Sequence, residues 1–300
     1  MGAKLREVRR RIRSVQSTMK ITRAMELIAT SRILKAQQRV EAARPYAERL
    51  TAAITDVASA SAALNHPLLE QRPDPKAAAV FVVTSDRGLA GAYSSNVLRR
   101  AEELFSLLRS EGKDIKLFVT GRKGLSYYRF RQRPIEQSWL GFSETPSYDD
   151  AKRIADALMD VFSGGEVDEI HGVFTDFVTA VRQRPVARRF VPMVFEETER
   201  PAHAGPLNQY IFEPDPEALL RSLLPRYVVT RVYDALLESA ASEHAARRRA
   251  MSAATENAED LIKVLTRVAN QARQTEITTE IVEIVGGAEA LTKASEARAS

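Results

Sequence analysis

An apolar run, "AAAVFVV" (77–83), is followed by "SDRGLAGAYSSN" (85–96), with Gly88 and Gly91 in the turn and a helix-like stretch behind it. Strand, glycine-bearing turn and helix in that order outline a phosphate-binding loop, in which backbone without Cβ comes close to an anion and aims amides at it. The spelling argues against that chemistry: only G-x-x-G is present, no Gly-Lys-Ser/Thr follows, and Asp86 puts a negative charge where a phosphate would sit. A tight turn that needs pliable backbone is the plainer reading. Other reactive groups are equally sparse. There is no cysteine, which excludes disulfides, thiolate metal sites and thiol switches, and the four histidines, His66, His171, His203 and His244, lack ligand spacing. Neither G-x-S-x-G nor H-E-x-x-H occurs, and Glu102-Glu103 and Asp149-Asp150 lie on helical patterns as solvated faces. The expectation is a chain with no catalytic residues, no metal and no cofactor of its own.

The elements that carry these residues are framed by charge. The formal net charge of +5 is unevenly spread: residues 1–50 hold 13 Lys/Arg against 4 Asp/Glu, and the other 250 residues are net negative by 4. Within that basic start, Leu5, Val8, Ile12, Val15, Met19, Thr22, Glu26, Ala29, Ile33, Ala36, Val40 and Ala43 recur at heptad spacing. The seam is apolar except at Thr22 and Glu26, so the buried face is expected to shift there and to turn Met25 outward. A helix over about residues 3–60 would be roughly 90 Å long, broken at most mildly at Pro45. The end of the chain carries a second seam: Met251, Ala254, Ala258, Leu261, Leu265, Val268, Ala272, Thr275, Thr279 and Val282. There "EPDPEALLRSLL" reads as a short helix capped by Asp215, with Pro225 opening a long one that stops at Gly286-Gly287. An antiparallel coiled coil of the two chain ends follows.

The middle changes period. "AAAVFVV", "IKLFVT", "EIHGVFTDF" and "VARRFVPM" read as strands, separated by helical patterns such as "SNVLRRAEELFSLLRS" and "YDDAKRIADALMDVF". The fold class is therefore α/β: the coiled coil plus a central Rossmann-like domain with a largely parallel sheet. The segments are 1–62 for the first helix, 77–195 for the α/β domain and 210–287 for the C-terminal helices. No apolar run reaches the roughly 20 residues needed to span a bilayer. Two other readings stand at this point: a basic coiled-coil adaptor for nucleic acid or a membrane surface, and a nucleotide-dependent α/β enzyme resting on G-x-x-G. The basic helix has no aromatic residue before Tyr46, hence no platform for base stacking.

Four stretches together resemble the γ subunit family of bacterial F-type ATP synthases: "SVQSTMKITRAMELIATSRI", "TSDRGLAGAYSSN", "LLESAASEHAARRRAMSAATENAEDLI" and "ARQTEITTEIVEIVGGAEAL". The last carries Ile277-Thr278, Glu280, Glu283 and Gly287-Ala288 at the offsets of the family signature. The resemblance covers essentially the whole chain. Ala90 stands where many relatives carry cysteine, and the cysteine pair of chloroplast relatives is missing.

The resemblance implies a non-catalytic rotor shaft that couples ion-driven rotation of a membrane ring to ATP synthesis on β subunits. Implied partners are the α and β subunits, a small accessory rotor subunit and the membrane ring subunits, with no nucleic acid and no membrane span of its own. The implied location is the cytoplasmic face of the cell membrane. Lys20 and Arg23 would slide past acidic loops of β, and Met25 would bear on the surrounding ring. Asp86 and Arg87 would lie in the short segment that touches β. Arg247, Arg273, Gln274, Thr278 and Glu280 would form polar catches, and Tyr210, with Phe212, would contact the membrane ring and accessory subunit.

Overall fold

The computed structural model of the chain describes residues 3–60, 68, 72–193 and 215–299. Two long helices come first and last, α1 (Ala3–Ala60) and α5 (Pro216–Ala299). Between them follow β1 (Ala77–Val83), α2 (Tyr93–Ser110), β2 (Asp114–Thr120), α3 (Arg122–Phe130), β3 (Gln137–Trp139), α4 (Tyr148–Ser163), β4 (Glu169–Phe177) and β5 (Gln183–Val191). The chain forms two compact units: Ala29–Arg249, and Met1–Ile28 with Ala250–Ser300.

The unit Ala29–Arg249 is built on one sheet of order β3-β2-β1-β4-β5. Every pairing is parallel except β4 with β5. β1 explains the layering. Ala79, Phe81 and Val83 face a core shared with Ile154 and Leu158 of α4, Leu50 and Ile54 of α1, and Leu220 and Val228 of α5. Ala78, Val80 and Val82 face Val97, Ala101 and Phe105 of α2 and Tyr128 of α3. A strand covered on both faces has no polar side to show, which is why it reads as a continuous apolar run. α4 begins where Ser147 and Asp150 cap each other's backbone amides in a capping box. β5 returns through a short turn, Thr179 N donating to Arg182 O at 2.9 Å, and a turn of that length joins antiparallel strands only. Pro185, which lacks an N–H, is tolerated because β5 is the sheet's edge.

α1 continues through Pro45, as expected. The punctuation read from the sequence is overruled in two places, both on α5, which continues through Pro225 and through Gly286-Gly287. Asp215 does cap α5, its Oδ1 accepting from Ala218 N at 2.8 Å, but no short helix ends before Pro225. Leu220, Leu224, Tyr227 and Val228 on either side of that proline are buried, and packing of this kind outweighs one missing backbone hydrogen bond. β3 is an element for which the sequence offers no pattern, and α3 follows "TGRKGL" (120–125), which reads as a second strand-to-helix turn.

In the other unit α1 and α5 run antiparallel, Leu5 sharing a groove with Ala272 while Thr22 meets Thr255. Two corrections to the heptad reading follow. On α5 the inward positions are Met251, Thr255, Ala258, Ile262, Leu265, Ala269 and Ala272, so every second position lies one residue later than expected. Leu261 and Val268 are exposed, while Thr255 and Ala269 are buried. On α1 the seam does not change face at Thr22: that residue is buried, and its Oγ1 lies 2.8 Å from Thr255 Oγ1. Each hydroxyl also donates or shares toward its own helix, Thr22 to Met19 O at 3.0 Å and Thr255 to Met251 O at 2.9 Å. A paired polar group inside a heptad seam fixes which residues face each other. Thr22→Val and Thr255→Val should each destabilise the chain by about 1 kcal/mol while the double variant returns close to wild type, since removing both partners strands neither. Denaturant unfolding of the four proteins checks this, and additive single effects would contradict the pairing.

Candidate functional site: a filled crevice at the sheet's C-terminal edge

In an open sheet of order 3-2-1-4 the ligand crevice lies beyond the C-terminal ends of the strands where the order reverses, here β1 and β4. The turn 85–92 leaves β1 at that point, with Leu89 (φ 62°) and Gly91 (φ 55°) in left-handed conformation. Asp86 aims its carboxylate back into the crevice. Its Oδ1 accepts from Arg122 N, the first residue of α3, at 3.2 Å. Its Oδ2 accepts from Gly141 N at 2.8 Å and Ser143 N at 3.1 Å, and its own amide donates to Ser143 Oγ at 2.9 Å. A helix N-terminus and converging backbone amides are what a phosphate would use, and Asp86 supplies the anion instead. Thr84 Oγ1 donates to Thr120 O and accepts from Gly124 N, both at 2.8 Å, which draws β1 and the start of α3 together. Gly121 (φ 91°) permits this: a Cβ there would lie 2.1 Å from Thr84 O.

α5 closes the rest. Ser239 and Ser242 bond the backbone of Thr175 at the end of β4, at 3.4 and 3.3 Å. Tyr93, at the start of α2, is buried against Ser239, and burial followed by the nearby Glu243 charge holds its hydroxyl well above the usual tyrosine range. Arg247 is buried and reaches Glu243 Oε1 at 2.7 Å, Glu144 Oε1 at 3.3 Å and Gly88 O at 3.4 Å. Glu144 Oε2 also pairs with Arg32 of α1 and lies 3.7 Å from Arg87. Burial raises the Glu243 carboxyl, opposed by Arg247, and burial lowers the His244 imidazole, whose Nε2 sits 3.1 Å from Glu144 O. Glu144 and Glu243 pair here with the guanidinium groups of Arg247 and Arg32, with Arg87 at the rim.

The residues singled out from the sequence fall into three sets. Asp86, Arg87 and Arg247 come together in this crevice; Asp86 and Arg247 are turned inward, Arg87 is largely exposed. Lys20 and Arg23 are exposed on α1, where Met25 and Glu26 are half-buried. Exposed Ile21, Leu27 and Ile28 border Met25 in the chain. Arg273, Gln274, Thr278 and Glu280 are exposed on α5, Thr278 Oγ1 bonding back to Gln274 O at 2.9 Å. Beside them Ile277, Ile281, Val282, Ile284 and Val285 are also exposed. Tyr210 and Phe212 lie outside the described residues. Missed from the sequence were Glu144, Ser143 and Glu243, which have no local signature and acquire meaning only through partners far along the chain.

Asp86→Ala removes the charged acceptor of three backbone amides, of which those of Arg122 and Gly141 are open to water, and should destabilise the chain by about 1–2 kcal/mol. Because the vacated cluster of amides suits an anion, phosphate or sulfate should recover part of the loss in thermal unfolding. An unchanged unfolding midpoint would show that the carboxylate does not hold the turn.

Comparison with known proteins agrees with this architecture. The family described as ATP synthase (ATP-synt) matches residues 4–291. A protein of Frankia casuarinae named "ATP synthase gamma chain" is 63% identical over 295 residues, covering 97% of this chain and 99% of that one. The protein of that name from Mycolicibacterium smegmatis is 59% identical, with 97% and 99% covered. Among solved structures, a chain of the Euglena gracilis mitochondrial ATP synthase OSCP/F1/c-ring in rotational state 3 aligns with TM-score 0.64 at 15% identity, covering 97% of this chain and 95% of that one. A chain of the rotor of the same synthase in rotational state 1 gives TM-score 0.63 at 14% identity, covering 92% and 100%. Identity of this order along nearly the whole length, on a fold whose ligand crevice the chain itself fills, places the protein in the ATP synthase γ-chain family.

Proposed function

We propose that the chain is the central rotor shaft of an F-type ATP synthase and takes no catalytic part itself, passing rotation of a membrane ring to catalytic β subunits. The observation that carries this is the exposed surface of α5 over residues 273–285. Ile277, Ile281, Val282, Ile284 and Val285 are exposed there among Arg273, Gln274, Thr278 and Glu280. A helix end with apolar residues on several sides is unsuited to water and suited to an enclosing apolar sleeve, with the polar residues available to a partner in some orientations and not others. The filled crevice supports the same reading, since it leaves nucleotide to other subunits. Among the described residues no helix is long and apolar enough to cross a membrane, so contact with the membrane is assigned to protein partners.

In this reading α and β subunits surround the α1–α5 pair of residues 1–28 and 250–300. Lys20 and Arg23, exposed and basic, run along acidic loops of β without tight docking. Met25 is the bearing contact, flanked by exposed Ile21 and Ile28. Arg87 and Leu89, the outward residues of the turn that Asp86 holds, meet the C-terminal region of β. Arg247 acts by fixing that turn from behind. Tyr210 and Phe212 are assigned to the membrane ring and the small accessory rotor subunit on sequence grounds. The protein then lies peripherally at the cytoplasmic face of the membrane.

Two variants in the assembled synthase test the assignment. Gln274→Ala with Thr278→Ala removes polar contacts worth about 1 kcal/mol each, so ATP synthesis should fall about fivefold per residue with assembly unchanged. Unaltered synthesis would remove these residues from the coupling surface. Met25→Lys puts a charge into an apolar bearing and should leave ATP hydrolysis running while proton pumping per ATP drops. Normal pumping efficiency in that variant, measured in inverted vesicles, would contradict the bearing role.

A further inference from the structure

Away from the crevice, Glu238 of α5 and Asp176 of β4 meet where the long helix crosses the end of the strand. The crossing is fixed beside them: Ser239 Oγ accepts from Thr175 N at 3.4 Å, and Ser242 Oγ donates to Thr175 O at 3.3 Å. Asp176 is buried, and Arg184 and Arg188 of β5 both donate to its Oδ2, at 3.0 and 2.7 Å. Its other oxygen, Oδ1, is buried with no N–H or O–H donor among the described residues, and so is Glu238 Oε2. The two carboxyl groups themselves lie within hydrogen-bond reach of each other. Ionised, both can only accept, and two like charges in contact repel. One proton between them supplies the missing donor and removes one of the charges. Both arginines lie on Asp176, which leaves the negative charge there and the proton on Glu238.

We propose that Asp176 and Glu238 share one proton near neutral pH and that this proton seats α5 on β4, so that the contact weakens when the medium turns alkaline. The other charged groups around Glu238 are Asp234 and Arg231 of its own helix and Arg44, Glu48 and Asp56 of α1, which line the same groove, with Arg184 and Arg188 of β5 behind Asp176. Burial, followed by Asp176, lifts the Glu238 carboxyl from its ordinary 4.5 to about 8, with Arg188 opposing and Asp234 assisting. The folded chain thus keeps a proton that the unfolded chain has released. Stability owed to it is whole below the unfolded value of 4.5 and is lost as pH rises through about 8. Burial also lifts Asp234, to about 6, so the dependence above that value belongs to the pair.

The test compares the full chain with Glu238→Gln, whose side-chain N–H donates to Asp176 at every pH. The ratio of the two folding equilibrium constants, from denaturant unfolding, should move in the variant's favour by about tenfold per pH unit between about 6 and about 7.5 and level off above about 9. Titrations common to both proteins cancel in that ratio. The infrared difference spectrum, wild type minus variant at neutral pH, should contain the C=O stretch of a protonated carboxylic acid and lose it on titration to about pH 9.5. Asp176→Asn takes the like charge away but leaves Glu238 buried, so that band should disappear at a lower pH than in wild type. A ratio that does not change with pH over this range, no acid band in the difference spectrum, or a band that titrates at the same pH in Asp176→Asn would overturn the shared proton.

Discussion

Arg247 sits among Glu243, Glu144 and the carbonyl of Gly88, and both Arg247 and Glu243 are buried. Removing one member of such a buried group leaves an uncompensated charge, at a cost of about 3–5 kcal/mol. The arrangement therefore locks as a set. Through Glu144 it reaches Arg32 on α1, through Glu243 it reaches Tyr93 at the start of α2, and through Gly88 it reaches the turn after β1. One guanidinium thus ties both long helices to the same edge of the sheet within the unit Ala29–Arg249. The apolar core joins these elements too, but an apolar contact accepts small slips, whereas paired charges specify position.

What could be read directly from the sequence depended on whether the physical cause was local. β1 announces itself because a strand buried on both faces is apolar throughout, β2 and β4 through shorter apolar stretches such as "LFV" and "GVF", and α2 and α4 because one face of each meets the sheet. β3 has only three residues and owes its existence to pairing with β2, which no local pattern records. α3 carries Gly124 in its first turn, a residue suited to close approach to Thr84 rather than to helix formation. Pro225 and Gly286-Gly287 were given their usual meaning as breakers, and in α5 tertiary packing and helix continuity prevail over it. The α5 seam was half right for an instructive reason. Periodicity locates a stripe, but the choice between Leu261 and Ile262, or Val268 and Ala269, depends on the thickness of the partner helix, which lies in another part of the chain.

The crevice was legible in outline only. Asp86 could be seen as an obstacle to phosphate, yet its role as the group that takes the phosphate's place required Gly141 and Ser143, more than fifty residues away. Glu144 and Glu243 look like any surface carboxylates in a helical or loop context. Their burial follows from where α5 crosses the strands, and a sequence read without its fold contains no statement about that crossing.

The carboxylate in the anion position also bears on selectivity in a crowded cell. A sheet of this order with an open crevice would be a standing invitation to the adenine nucleotides that neighbouring subunits of a synthase exchange continuously. Occupancy of such a crevice would rise and fall with energy charge, and the stiffness of the chain with it. A covalently tethered anion cannot be diluted or competed away, so the mechanical properties of this domain are insulated from the metabolite pool on which its partners act.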